Sequence, residues 1–242
     1  MPKKIIISKS GGPEVLKYID YSLTNEKPRE NEIRIKHSSI GVNFIDTYHR
    51  SGLYPVDLPI TPGLEAVGRI VSIGPGVDVF GVGDRVGYSA PPLGAYSEIR
   101  DYPAEKAFKI PDEIDDDNAA SILLKGMTVE YLFNRTYKIK ADEWVLFHAA
   151  AGGVGLIACQ WAKAIGCHLI GTVGSDEKID LAKKNGCEYV VNYKKENVVE
   201  KIMDLTDGAG VLVVYDGVGK DTFNISINCL SKRGMFVSFG NA

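Results

Sequence analysis

The feature that most constrains this chain is a turn, Ala149-Ala150-Ala151-Gly152-Gly153-Val154-Gly155, set between an apolar run and a helical pattern. Trp144-Val145-Leu146-Phe147-His148-Ala149 reads as a strand. From Gly155 to Ile165, Leu156, Ala158, Cys159, Ala162 and Ile165 are spaced for one helix face. Strand, glycine turn and helix in that order form the context in which a glycine fingerprint holds a dinucleotide. Gly152 lets the backbone approach a pyrophosphate, and Gly155 lets the helix pack tightly on the strand. The helix N-terminus then offers free N–H groups and the positive end of its dipole to the phosphates. The usual first glycine is Ala150 here, giving Ala-x-Gly-x-x-Gly. An altered motif alone also fits a mere tight turn, so the units around it decide.

Those units repeat the same rhythm. His168–Val173 is a strand, Asp176–Lys184 a helix that stops at Asn185-Gly186, and Tyr189–Asn192 a strand. Asn197–Leu205 is a helix, Val211–Asp216 a strand, Thr222–Leu230 a helix and Gly234–Gly240 a fifth strand. Near-continuous apolar strands separated by amphipathic helices predict a parallel sheet covered on both faces, a Rossmann-type doubly wound domain over 125–242. Such a sheet usually continues past its fifth strand. With Asn241-Ala242 following directly, the sheet is expected to be incomplete at its C-terminus and the sequence to be part of a longer chain.

Residues 1–124 follow another grammar. The opening Met1–Ile7 reads as a first strand, and Glu32–Ile40 begins with the alternation of a half-buried one. Ala66–Gly74 is a strand ending in the turn Gly74-Pro75-Gly76, and Gly83–Tyr88 and Gly94–Arg100 are two more. Short strands with Gly and Pro between them predict a small, partly closed β-barrel. The acidic run from Asp112 to Asp117 is expected to cap a following helix and otherwise to be solvated.

Composition removes several function classes. The 242 residues are 45% hydrophobic and 24% charged, enough for two ordinary domains with real cores. A net charge of -3 gives no electrostatic case for nucleic acid or an anionic membrane surface. No apolar run approaches the roughly 18 residues of a membrane span, and the apolar part of the N-terminus is too short for a signal peptide. Cys159, Cys167, Cys187 and Cys229 form no Cys-x-x-Cys pair. They read as buried or half-buried free thiols of a reducing cytoplasm. His37, His49, His148 and His168 lack metal-ligand spacing. His148 ends a strand beside the glycine turn and reads as packing or polar filler.

The second strand decides which dinucleotide. NAD sites usually place an acid at that strand's tip for the ribose 2′-OH. Here the strand ends Thr172-Val173-Gly174-Ser175, with Asp176 following closely. The small, neutral Gly174-Ser175 corner leaves room for a 2′-phosphate. Lys178 on the next helix could pair with it, and Tyr193 after the third strand could add a hydroxyl. NADPH is the expected cofactor.

Gly63-Leu64-Glu65-Ala66-Val67-Gly68 followed by Ala150-Ala151-Gly152-Gly153-Val154-Gly155 resembles the medium-chain dehydrogenase/reductase superfamily. Within it the chain resembles the zinc-free quinone oxidoreductases of the ζ-crystallin-like branch. Asn43-Phe44-Ile45-Asp46, Pro62-Gly63, Lys125-Gly126-Met127-Thr128, Val191-Asn192-Tyr193 and Ser238-Phe239-Gly240-Asn241 carry the likeness across the whole chain. The zinc alcohol dehydrogenases have Cys where this chain has Asn43 and His where it has Leu64. Leu64 cannot ligate a metal and Asn43 is a poor ligand, so no metal is expected. The resemblance implies a GroES-like barrel over 1–124 that supplies the substrate side, a homodimer, and relatives that continue beyond this chain's end.

The resemblance also implies hydride transfer from NADPH to a quinone or an activated alkene, with Asn43, Asp46, Tyr48 and Tyr54 lining the site near the nicotinamide. Tyr48 or Tyr54 could donate to the substrate oxygen; both are equally well read as packing residues, and Asp46 as the holder of a loop. Thr128 is placed at the nicotinamide ribose or carboxamide, and Phe239, Gly240 and Asn241 at the nicotinamide half. Ala151, Gly152, Gly153, Val154 and Gly155 take the pyrophosphate, and Gly174, Ser175, Lys178 and Tyr193 the 2′-phosphate. Three activities fit: an NADPH:quinone reductase, an enoyl or alkenal reductase on the same scaffold, and a non-catalytic NADPH-binding protein.

Overall fold

The computed structural model describes residues 1–24 and 26–241. The chain divides into two compact units, Met1–Leu124 and Lys125–Ala242.

In the first unit, β1 (Lys3–Ile6) pairs antiparallel with β2 (Lys17–Asp20). The larger strands are β3 (Glu32–Gly41), β4 (Glu65–Ile73), β5 (Arg85–Tyr88), β6 (Ile99–Pro103) and β7 (Phe108–Lys109), with α1 (Phe44–Ser51) after β3. These strands form an antiparallel sheet in the order β6-β3-β4-β5-β7. The β3–β4 register shifts twice, between Arg34 and Ile35 and between His37 and Ser39. Such irregularities bend a sheet and increase its twist. Bridges Lys4–Ser97 and Ile7–Ile60 tie the N-terminal strand region to the rest. Ile33, Ile35, Ala66, Ile70, Val86, Tyr88 and Tyr102 form the unit's core.

One strand lies elsewhere than the sequence pattern suggests. Residues 94–98 are irregular apart from the bridge at Ser97, and the strand runs Ile99–Pro103. Gly94 and Ala95 both donate backbone N–H bonds to Gly63 O, and Tyr96 to Pro62 O. Their donors are therefore spent on the 62–63 turn. The acidic run is largely solvated as expected, with Asp112, Glu113, Asp115 and Asp117 exposed and Asp116 half-buried. Asp115 caps the following helix, accepting from Asn118 N at 2.7 Å. Asp116 pairs with Arg85 at 3.1 Å, and Ser38 and Ser39 donate to Asp116 and Asp117.

Helix α2 (Asp116–Tyr131) carries the chain into the second unit. There follow β8 (Trp144–Phe147), α3 (Gly153–Ile165), β9 (His168–Val173), α4 (Glu177–Lys184) and β10 (Tyr189–Asn192). Next come α5 (Val198–Leu205), β11 (Val211–Asp216), α6 (Phe223–Cys229) and β12 (Leu230–Ser238). The parallel sheet has the order β10-β9-β8-β11-β12. Strand direction of travel therefore reverses between β8 and β11, the switch point where open α/β sheets bind ligands at their strand C-termini. Alternate strand residues face opposite sides. Val145, Phe147, Leu169, Val213 and Tyr215 pack with Ala158 and Ala162 of α3. Leu146, Ile170, Val191 and Val214 pack with Val198 and Ile202 of α5. Both faces are covered, as the apolar strands require.

Candidate functional site

At the tip of β8 the chain makes an abrupt turn. Ala149 has φ 53, the left-handed region that a non-glycine residue rarely occupies. Gly152 N then donates to Ala149 O at 2.8 Å, and Ala150 N bonds Thr172 O at 3.0 Å on β9. Gly152 is the N-cap of α3 and has no side chain to cap it. The first N–H groups of a helix lack intrahelical acceptors, so those of Gly153, Val154 and Gly155 are available to an anion at the helix's positive end. Gly152 and Gly153 are exposed and Ala151 and Val154 half-buried, whereas Gly155 is buried. A Cβ on Gly155 would lie 2.4 Å from Ala149 O and 2.6 Å from Ala150 O. No side chain fits, and the close approach of α3 to β8 depends on that.

The second anion-facing corner is the tip of β9. A Cβ on Gly174 would sit 2.9 Å from the Tyr193 hydroxyl, so this tyrosine lies over the bare Gly174 backbone. Ser175 adjoins it, and Lys178 is an exposed residue of α4's first turn. Lys178 makes no ion pair with any described residue.

At the other side of the switch point, Phe239 N bonds Asp216 O at 2.9 Å. The Phe239 ring stands 5.6 Å from Phe147 and covers Gly217. Gly240 lies against the backbone of Gly217, and Asn241 near Gly219. The ends of β8, β11 and β12 are thus gathered around one place. Thr128 is half-buried inside α2, not at a helix N-cap.

Beneath the turn runs a buried polar chain. Asp216 Oδ2 accepts from Ser226 at 2.8 Å, and Ser226 Oγ lies 2.9 Å from His148 Nε2. His148 Nδ1 lies 2.9 Å from Thr172 Oγ1. A carboxylate only accepts, so Ser226 donates to Asp216 and takes the His148 Nε2–H. Nδ1 is then the acceptor, and Thr172 donates to it. Burial holds His148 below its usual range, against the pull of Asp216, and the ring is neutral. Burial pushes Asp216 up, but the Gly219 N–H and the Thr222 and Ser226 hydroxyls bring it below the ordinary carboxylate range. Asp216 Oδ1 also accepts from Val218 N at 2.8 Å and Gly219 N at 2.9 Å, so it shapes the 217–219 loop. His148 is a filler by position and an organiser by its bonds.

In the first unit the candidate residues form a side-chain network at the start of α1. Asn43 is the N-cap, with its N–H bonding Asp46 Oδ2 at 2.9 Å and its carbonyl taking Asp46 N at 3.0 Å. Asp46 Oδ2 also accepts from the Tyr96 hydroxyl at 2.7 Å. Burial, and then Asp46 itself, push the Tyr96 hydroxyl far up, so it stays protonated. Glu65 is fully buried. Its Oε2 accepts from Asn43 Nδ2 at 2.7 Å and its Oε1 from Leu124 N at 2.7 Å. Asn43 and Asp46 are arranged as a capping box, but the Asp46 N–H is taken by the Asn43 backbone carbonyl, and Oδ1 of Asn43, which is 5% exposed, has no hydrogen-bond partner among the described residues. The bond to Glu65 fixes which end of the amide is which, leaving a carbonyl oxygen free to accept. Tyr48 and Tyr54 stand 5.0 Å apart, Tyr48 touching Phe44 at 5.4 Å. Tyr96 is absent from the sequence-based site because 50 residues separate it from Asp46.

A separate cleft of about 380 Å³ is lined by Lys163, Cys167, His168, Lys183, Cys187 and Glu188. It lies at the strand N-termini, where its lysines sit in the last turns of α3 and α4 and complement the helix dipoles. It is remote from the glycine turn. All four cysteines are free and buried.

Comparison with known proteins places this geometry. A zinc-binding dehydrogenase family model matches residues 153–242, and an alcohol dehydrogenase GroES-like domain model matches residues 29–112. A quinone oxidoreductase of Pseudomonas aeruginosa is 51% identical over 100% of this chain and 74% of its own length. The crystal structure of Escherichia coli quinone oxidoreductase complexed with NADPH superposes with a TM-score of 0.96 at 51% identity, covering 99% of this chain and 73% of that one. A 2-haloacrylate reductase from a Burkholderia species is 44% identical over 98% of this chain and 72% of its own length. The two units and their glycine turn define a medium-chain dehydrogenase/reductase. The chain belongs to the zinc-free quinone oxidoreductase branch of that superfamily.

Proposed function

We infer that this chain is an NADPH-dependent quinone oxidoreductase that works without zinc. The observation that carries the reading is the close match over nearly its whole length to an enzyme of that name whose structure holds NADPH. The residues here fit the cofactor. The uncapped first turn of α3 is shaped for a pyrophosphate, and the bare Gly174 corner under Tyr193 for a 2′-phosphate. Phe239, Gly240 and Asn241, with Thr128, are assigned to the nicotinamide half. The unit Met1–Leu124 is assigned to the substrate and Lys125–Ala242 to the cofactor.

Bound NADPH supplies the hydride from its nicotinamide C4. A quinone accepts hydride readily, so the protein's work is to position, to exclude water and to manage one proton. Glu65 holds the Asn43 amide with Oδ1 free, an acceptor suited to a donor on the ligand such as the hydroxyl of the reduced product. Asp46 and Tyr96 hold the start of α1. The Tyr48–Tyr54 pair supplies the hydroxyl that donates to the substrate oxygen. Leu64 is buried and apolar, and Asn43 and Glu65 already bond each other where a metal site would need them.

A second reading, reduction of an activated alkene, is favoured by the similarity to a 2-haloacrylate reductase. Steady-state rates with NADPH, comparing 1,4-benzoquinone with an α,β-unsaturated aldehyde, separate the two. Faster turnover of the quinone is expected; faster turnover of the aldehyde reverses the assignment, and NADPH binding without turnover of either supports a non-catalytic role. No helix among the described residues is long and apolar enough to cross a membrane. A cytoplasmic homodimer completes the proposal, with sedimentation analysis as its check.

A further inference from the structure

An unneutralised acid beside the ribose 2′ position favours NADH, because it accepts the 2′-OH and repels a phosphate. This chain has such an acid. Asp176 follows Gly174-Ser175 directly and stands at the N-cap of α4, with Glu177 next to it in the first turn. A free carboxylate there would oppose the cofactor assigned above.

The carboxylate is not free. Its Oδ1 accepts from Asn192 Nδ2 at 2.6 Å, and its Oδ2 forms an ion pair with Lys195. Lys195 first, and then Asn192, hold Asp176 below the ordinary carboxylate range. The partners are delivered by a built turn. Asn192 is buried at the end of β10, in register with Val173 of β9. Its Oδ1 accepts from Lys194 N at 3.1 Å, and its carbonyl from Lys195 N and Glu196 N at 2.9 Å each. Tyr193 N bonds Val173 O at 3.2 Å. The same short turn therefore brings Tyr193 over Gly174 and Lys195 onto Asp176. The ion pair is solvent-exposed on both sides, 66% and 56%, and exposed pairs contribute little to stability. What this one changes is the local field at the corner.

We propose that Lys195, aligned by the Asn192 turn, is a cofactor-selectivity residue: it clasps Asp176, cancels its charge and occupies its oxygen, so that the β9 corner takes a 2′-phosphate in place of a 2′-hydroxyl. Lys195 acts through Asp176 and is a positioning residue. Lys178 and Tyr193 remain the groups that face the phosphate, so the proposal rests on the NADPH reading of this corner.

A charge cycle in the full protein tests it, with calorimetric Kd values for NADPH and NADH. Lys195→Ala leaves Asp176 unpaired and is expected to weaken NADPH about tenfold at low salt, with NADH unchanged or tighter. Raising the ionic strength should shrink that loss, because the charges are exposed. Asp176→Asn together with Lys195→Ala should return NADPH to within about twofold of the parent protein, since no charge is left to repel it. If Lys195→Ala costs NADPH as much in the Asp176→Asn background as alone, Lys195 touches the phosphate directly and the clasp is wrong. An unchanged NADPH-to-NADH ratio in Lys195→Ala also overturns it. Lys178→Ala with Tyr193→Phe is the separate check on the corner. A selective loss of NADPH there, without coupling in the cycle, sinks the clasp alone. An equal loss of both cofactors removes the corner reading and the clasp with it.

Discussion

At the tip of β8 the decisive contacts are backbone contacts, while at Asn43 they are between side chains. Gly155 works by having nothing: the carbonyls of Ala149 and Ala150 fill the space its Cβ would need. Glu65 works by having two oxygens, one for Asn43 and one for Leu124 N. The first arrangement suits a ligand portion common to every dinucleotide, since any residue but proline can present an N–H. The second suits a particular substrate, because an acceptor at Asn43 Oδ1 exists only while Glu65 holds the amide's other end. Generic recognition is written in main chain, and selective recognition in buried side chains.

That contrast can be broken at its backbone end first. Gly155→Ala drives a Cβ into two carbonyls that cannot turn aside. A loss of about 3 kcal/mol in stability is expected, with at least a hundredfold weaker NADPH, measured by thermal unfolding and calorimetry. Near-parental affinity would show that α3 does not need its close approach.

The next effect concerns histidines that burial holds below their usual range, above all His37, half-buried in the first unit, and His148, buried in the second. His37 Nδ1 bonds Ser97 O at 2.6 Å and Nε2 bonds the Tyr88 hydroxyl at 3.0 Å. Burial, with Arg100 adding to it, lowers its pKa to about 4. The unfolded chain binds this proton near pH 6.5, so stability is complete above that pH and falls as the pH drops toward 4. The loss amounts to about 3 kcal/mol from this residue. His37→Gln should flatten that acid limb in urea titrations run at several pH values. Because His148 is lowered too, a residual slope is expected in the second unit, visible through Trp144 and Trp161. His49, also lowered by burial, leaves a smaller slope in the first unit; if the full slope survives there in His37→Gln, the assignment to His37 fails.

The smallest and most discriminating change is Glu65→Gln. It keeps the volume but adds a donor, so the Asn43 amide loses its fixed orientation. Hydrogen bonds to charged groups contribute about 1.5–3 kcal/mol, and kcat/KM for benzoquinone should fall about tenfold or more. NADPH affinity should stay at the parental value. A matching loss in NADPH affinity would mean that Glu65 serves the fold as a whole, with no separate task for the substrate.

The second unit was almost fully legible in its sequence. Strand and helix periodicity marked every element between Trp144 and Ser238 to within a few residues, because these patterns depend on neighbours along the chain. The glycine turn was legible for the same reason. The first unit was harder: the stretch 94–100 alternates like a strand, but Gly94 and Ala95 give their N–H groups to Gly63 O. Leu64 and Asn43 already argued against zinc by residue type alone. His148 was read as filler, since its partners Thr172 and Ser226 are 24 and 78 residues away.

By itself, then, the sequence determined the two-unit layout, the dinucleotide turn, the family and the small neutral corner after β9, all carried by local spacing or by the presence or lack of a side chain. Only the tertiary structure decided what the polar groups do. It set Asn43 Oδ1 free by binding Nδ2 to Glu65, gave Tyr96 to Asp46, and turned Asp176 from an acid facing a ribose into one half of a pair with Lys195. The physical reason is that a hydrogen bond or ion pair is made across space between residues far apart in the chain, and nothing in the chemistry of either partner alone names the other.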